Sequence, residues 1–210
     1  EKMNTHTSLK DLERNLFRET VRDGILDIMI GCLLLIFVVA PLLSSRLGDF
    51  WSSAIFLPFW LAVFAGLRVI KKSHILPRIG KVEYSSYRKK RLKNINLIIL
   101  VFNLVALGLG ILAFFNSQKF QGWVPLAILM LVGFSLAGFM IESPRFYLYG
   151  ILTASAPMIG EYLYRNHGFS HHGFPPTFGV LTAIFITIGL VLRVNIFRRY
   201  PLPDKKDLEW

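Results

Sequence analysis

Residues 120–141 read FQGWVPLAILMLVGFSLAGFMI, a run of 22 residues without one charged side chain. A transmembrane helix needs about 20 predominantly apolar residues, because it must cross a hydrocarbon layer about 30 Å thick. The rest of the 210-residue chain repeats this pattern, with further uncharged runs at 28–45, 50–67, 94–118, 146–160 and 166–192. The sequence therefore predicts an all-α integral membrane protein with six transmembrane helices.

The composition predicts the same class and excludes a soluble domain. Hydrophobic residues make up 53% of the chain and charged residues 18%, whereas soluble domains average about 45–50% and about 25%. The only cysteine, Cys32, lies in the first apolar run. A single cysteine excludes an intramolecular disulfide, a zinc site built from cysteines and a cysteine-ligated iron–sulfur cluster.

The six predicted spans pair into three hairpins and form one transmembrane domain over 24–196. Their predicted bounds are 24–44, 51–70, 94–115, 122–141, 146–164 and 176–196. The fifth span is the weakest, because it reaches full length only if Glu161 lies inside the helix. A basic loop, 71–93, joins the second span to the third, and residues 197–210 form a tail after the last span.

The first 23 residues contain an amphipathic segment at 8–22. Apolar side chains recur there at helical spacing, and charged side chains occupy the other faces; the apolar positions are Leu9, Leu12, Leu16, Phe17 and Val21. Such a helix lies in the membrane interface with its apolar face towards the acyl chains. We therefore expect residues 1–23 to form an interfacial helix on the cytoplasmic side. The alternative is a docking helix for a partner protein.

The distribution of basic residues predicts the orientation of the chain. With a cytoplasmic amino terminus, 21 of the 24 Lys and Arg residues fall on the inner side, and the three outer ones are Arg46, Lys119 and Arg165. Cytoplasmic loops of membrane proteins carry such an excess of positive charge. Both termini are therefore predicted to be cytoplasmic, in the inner membrane of a prokaryote. The net charge of +11 reflects topology, and no nucleic-acid partner is expected.

A cluster of ionisable residues is predicted at the cytoplasmic ends of the spans. Charges within membrane segments are costly and mark functional or pairing sites; the members of this cluster are Asp23, Asp27, Arg68, Glu142, Arg145 and Arg193. Asp27 lies deepest, about one turn inside the first span, and we expect it to pair with Arg68 or Arg193. The pair is predicted either to fix the geometry of the bundle or to couple a proton or an ion to transport.

Four consecutive bases precede the third span: Arg88, Lys89, Lys90 and Arg91. Each base near an anionic leaflet contributes about 1 kcal/mol of attraction. The run is either an orientation signal alone or a binding site for anionic lipid headgroups at the cytoplasmic face.

The outer loop before the sixth span carries metal-ligand residue types. Glu161, His167, His171 and His172 could together supply nitrogen and oxygen ligands to zinc or a related metal. The spacing lacks the helical HExxH arrangement, and two glycines interrupt the loop. We therefore expect no bound metal and no other cofactor. Nor does the sequence contain a phosphate-binding loop, a nucleophile elbow or a dinucleotide fingerprint, so no catalytic residues are predicted.

Three functions are compatible with this pattern, and no motif assigns the chain to a family. The first is a non-catalytic membrane subunit or lipid-interacting scaffold, whose partners are membrane lipids and either a second copy or another membrane protein. The second is a small transporter or channel module for an ion or a lipid-like solute. The third, an intramembrane enzyme, is the least favoured. Mid-span polar residues are sparse, which favours an apolar or lipid-like ligand, or no ligand; they are Asn103, Ser135, Thr153, Ser155, Thr182 and Thr187.

The predicted topology can be tested by labelling the basic loop. Ser85→Cys, introduced with Cys32→Ala so that only one thiol is present, is expected to react with a membrane-impermeant thiol reagent only after the cells are opened, because the loop is predicted to be cytoplasmic. Modification of position 85 in intact cells would overturn the topology.

Overall fold

The computed structural model describes residues 23–75, 98, 101–102, 104–105, 108 and 123–201. The predicted interfacial helix, the bases at 88–91 and most of the third predicted span lie outside the described residues. Within the described part of the chain every regular element is helical. The predicted all-α class is therefore confirmed for these residues.

The described chain forms five helices. They are α1 (Ile25–Ala54), α2 (Phe56–Ile70), α3 (Trp123–Ile141), α4 (Arg145–His167) and α5 (Phe174–Arg199). A π-helical turn, Lys71–Ile75, continues α2, and a 3-10 turn, His171–Gly173, precedes α5.

Four helical segments are long and apolar enough to cross a membrane, by length and composition. They are Ile25–Gly48, Phe50–Ser73, Trp123–Ile141 and His171–Arg199. This result indicates an integral membrane protein. The α4 helix is not among them, because Glu161, four tyrosines and several small or polar residues lower its mean hydropathy. Its 23 residues nevertheless extend over about 35 Å at 1.5 Å per residue.

Local sequence explains where the helices begin and end. Helix α1 runs past the predicted end at residue 44, since Pro41 is accommodated inside it, and it breaks instead at Gly48, where φ is 76°. Helix α4 follows Pro144 and ends at Gly168, which has the left-handed conformation common just after a helix. Helix α5 carries prolines in its first turn, where no intrahelical hydrogen bond is lost.

Neighbouring helices run antiparallel and contact closely at glycines. Gly24 of α1 lies against Gly189 of α5, and Gly31 lies against Thr182 and Ile186. Along the same seam the rings of Phe37 and Phe178 stack with centroids 4.6 Å apart. Small residues permit such backbone approach between membrane helices.

Helix α4 packs antiparallel to α3 and contributes one face to the core. Gly150 contacts Phe134, and Gly138 contacts the Tyr147 ring. The buried residues of α4 recur every three or four positions; they are Phe146, Tyr149, Gly150, Thr153, Ala156, Pro157 and Gly160. That face joins Leu34, Phe178 and Phe185 in the main apolar cluster.

The antiparallel arrangement gives the bundle two distinct ends. The beginnings of α1 and α4 and the turn after α2 meet at one end, which we call the Asp27 end. The end of α4 and the 3-10 turn meet at the other, which we call the His172 end.

We expect Gly189→Ala to lower the thermal stability of the protein in detergent. A methyl group at this position would lie 2.7 Å from the Gly24 carbonyl oxygen and 2.9 Å from the Ile28 nitrogen, and such overpacking costs about 1–3 kcal/mol. The matched control is Gly66→Ala in α2, where the added methyl meets open space. Equal melting temperatures for the two variants would contradict the close contact between α1 and α5.

Candidate functional site

Asp27 is the centre of a buried polar network at the Asp27 end of the bundle. Its side chain, in the first turn of α1, is fully buried. The Tyr149 hydroxyl donates a hydrogen bond to Oδ1 at 2.6 Å. The Arg145 guanidinium lies beside Oδ2, with Nη1 at 3.2 Å. These two atoms form an ion pair, but their geometry is not that of a hydrogen bond. The network therefore joins α1 to α4.

Asp23 forms a second contact at the same end. Its Oδ1 accepts a hydrogen bond from the Ile25 backbone N–H at 3.0 Å, which satisfies a donor that the start of a helix leaves unpaired. Its Oδ2 lies 2.8 Å from Nζ of Lys71, in the turn that follows α2. Negative charge at this position also interacts favourably with the α1 dipole. The carboxylate thus holds the ends of α1 and α2 together.

The predicted partners of Asp27 were wrong: the ion pair is with Arg145, rather than with Arg68 or Arg193. Arg145 and Tyr149 are four positions apart on α4, so one helix face presents both side chains to the carboxylate. Arg193 instead lies over the ring of Phe197, with its guanidinium carbon 5.3 Å from the ring centroid.

The six residues of the predicted inner cluster are only partly brought together. Asp23, Asp27 and Arg145 belong to the contacts just described. Arg68 lies in the last turn of α2, and Glu142 lies between α3 and α4 with a left-handed φ of 57°. Two contributors, Tyr149 and Lys71, are site residues that the sequence analysis does not identify. The only sequence signal for Tyr149 is its helical spacing from Arg145.

A second feature is an apolar groove of about 730 Å³, within the range of about 300–1,000 Å³ that is typical of ligand pockets. Its α1 wall extends from Ile30 to Ser44, about 21 Å of helix. Apolar and aromatic side chains form most of the lining; those of α1 and α3 include Leu33, Leu34, Ile36, Phe37, Ala40, Met130 and Phe134. Asp27 is not part of the lining.

The polar side chains of the groove are concentrated towards its His172 end. Ser44, Ser52 and Ser53 lie there with the two histidines that precede α5. Trp60 also lines the groove, and its buried Nε1 has no hydrogen-bond partner within the described part of the chain. The groove is therefore amphipathic along its length.

The four predicted metal-ligand residues do not converge. Glu161 and His172 are in contact, with Oε2 2.9 Å from Nδ1, while the Arg165 Nε donates to the other carboxylate oxygen at 2.6 Å. His167 packs on the Tyr162 ring, and His171 lines the groove. Among the residues that the structure describes, no three His, Cys, Asp or Glu side chains form a group that could hold a metal ion.

A double-mutant cycle tests the assigned partner of Asp27. Removing one member of a buried ion pair costs about 3–5 kcal/mol, so Asp27→Asn and Arg145→Gln should each lower the unfolding free energy. The loss should be smaller than this value, because the partly exposed Arg145 side chain can be hydrated. Since the two side chains touch, the double variant should lose less than the sum by about 0.5–3 kcal/mol.

Arg193→Gln is the matched control for this cycle and should be additive with Asp27→Asn. Coupling of Asp27 to Arg193 instead of Arg145 would contradict the structure. Thermal unfolding in detergent provides the measurement.

Comparisons of the chain with protein-family models, with curated proteins and with solved structures find no match.

Proposed function

We propose that this protein is a non-catalytic, lipid-interacting membrane protein that holds a lipid-like molecule in the groove between α1, α2, α3 and the start of α5. The observation that carries this proposal is the groove itself, which combines an apolar wall about 21 Å long with polar side chains at one end. A bilayer lipid has the same distribution of apolar and polar groups. In this proposal membrane lipids are the principal partners.

The proposal includes the orientation and location that the basic residues predict. The Asp27 end then faces the cytoplasm of a prokaryotic cell, and the His172 end faces the opposite side of the membrane. The α1 wall of the groove begins at Ile30, about one turn beyond Asp27, and extends towards the outer end of the span. A lipid in the groove would accordingly have its headgroup on the outer side.

The buried network favours a scaffold over ion-coupled transport. The Asp27 carboxylate is fully buried and is contacted by both a phenol and a guanidinium, so exposing it to an ion would require α1 and α4 to separate. The second candidate is a transporter module for a lipid-like solute, which would use the same groove. The lining of the groove favours it over transport of an ion.

Lipid retention tests the proposed function. Protein extracted in a mild detergent is expected to carry lipid that native mass spectrometry detects. Ile36→Trp should reduce the retained lipid, because the indole would occupy part of the groove that Ile36 lines. The matched control is Leu42→Trp, which adds an indole at an exposed position of the same helix outside the groove lining.

Two results would contradict the proposal. One is wild-type protein that retains no lipid. The other is equal lipid retention by the two tryptophan variants. Lipid movement between the leaflets of reconstituted vesicles, if abolished by Ile36→Trp, would favour the transporter over the scaffold.

A further inference from the structure

The backbone at the polar end of the groove has an unusual conformation. His171, His172 and Gly173 are consecutive left-handed residues, with φ values of 53°, 52° and 61°. Residues with side chains rarely adopt this conformation, and each costs on the order of 1–3 kcal/mol unless its surroundings hold it. Here a backbone contact between Gly173 and Gly160 of α4 holds the turn against the bundle.

The consequence of this turn is a fixed position for the His172 imidazole at the groove rim. The ring packs on Tyr164, with centroids 4.5 Å apart, and on Phe174, with centroids 6.3 Å apart. Its Nδ1 lies 2.9 Å from Oε2 of Glu161. Because Nδ1 is directed at a carboxylate, Nε2 is the ring nitrogen that is left to contact a ligand.

The hydrogen-bonding groups at this end favour a ligand with acceptor oxygens. Both Glu161 oxygens are engaged, one by Arg165 and one by His172, so the acid is compensated by its neighbours. His171 and His172 lie at the rim, and deeper in the groove Trp60 presents an N–H that has no acceptor among the described residues. Indole N–H is only a donor. The groove thus supplies donors and calls for acceptor oxygens.

We propose that the groove binds a membrane lipid with an oxyanion headgroup, which accepts a hydrogen bond from His172 at the rim while its acyl chain lies along α1 towards Ile30. Glu161 is a positioning residue in this site, because it orients the imidazole and does not itself contact the ligand. Trp60 lies near the middle of the apolar segment Phe50–Ser73, deeper in the groove than the rim. This inference rests on the proposed function and names the headgroup class of the same site.

The test compares two lipids that share their acyl chains and differ in the headgroup. The full chain is placed in phosphatidylcholine nanodiscs that contain equal small fractions of phosphatidic acid and diacylglycerol, and the retained lipids are counted by native mass spectrometry. Wild-type protein is expected to retain about tenfold more phosphatidic acid than diacylglycerol, because one hydrogen bond to a charged group raises the affinity by about this factor. His172→Phe, which keeps an aromatic ring against Tyr164, should remove this preference.

Two further variants make the result specific to the groove rim. His172→Asn should also lose the preference. Asparagine tolerates the left-handed conformation, so this variant shows whether the loss in His172→Phe comes from the missing imidazole or from a folding defect. His167→Phe alters the histidine that packs on Tyr162 outside the groove lining and should keep the preference. A preference that survives both His172 variants would mean that the acid binds elsewhere, for example at cytoplasmic bases, and would overturn the inference.

The remaining outcomes separate this inference from the proposed function. Equal retention of the two lipids by wild-type protein would overturn the headgroup assignment and leave a lipid-binding groove. Wild-type protein that retains no lipid at all, phosphatidylcholine included, would overturn the proposed function and the inference with it. Displacement of phosphatidic acid by millimolar inorganic phosphate would show that a soluble anion, rather than a lipid, occupies the rim.

Discussion

The packing of this protein depends on how a fully buried carboxylate is compensated. Asp27 lies in an apolar bundle, where an ionised group without a partner is very unfavourable. The hydroxyl of Tyr149 and the guanidinium of Arg145 provide that partner, and both come from α4. The position of α4 relative to α1 is therefore fixed at this point. This explains how a helix with modest hydropathy can pack against α1, since Arg145 and Tyr149 have a partner there.

The two polar regions of the molecule have different relations to the groove. At the Asp27 end each of the two carboxylates has an ion-pair partner within the chain and lies apart from the groove lining. At the His172 end the polar side chains border the groove, and the indole N–H of Trp60 is unpartnered among the described residues. The first region holds helices together, and the second has hydrogen-bonding capacity directed at a ligand.

The helices could be predicted from sequence because they follow the lengths of apolar runs. Helix α3 begins at Trp123 and ends at Ile141, against a predicted 122–141, and α4 and α5 each end three residues after their predicted last residue. Helix α1 was predicted too short, because Pro41 and the serines after it do not stop a helix, whereas Gly48 does. The partner of Asp27 could not be predicted, since three arginines were placed at similar depth and the choice depends on how each helix is rotated. The groove could not be predicted from sequence either, because it is the space that the side chains of four helices leave unfilled.

The contact of Gly24 with Gly189 has a mechanical consequence. Where two backbones touch, no side chain lies between them that could change rotamer to make room. The part of α1 before Gly48 and α5 therefore cannot slide past each other without a clash. These two helices must then move as one rigid body, and any opening of the groove has to come from its other walls. The break in α1 at Gly48 is a natural hinge for such a motion, because the left-handed glycine there has open space around it. Bending at this point would swing α2, with Trp60, away from the rigid pair. It would leave the ion pair at Asp27 intact but separate Lys71 from Asp23.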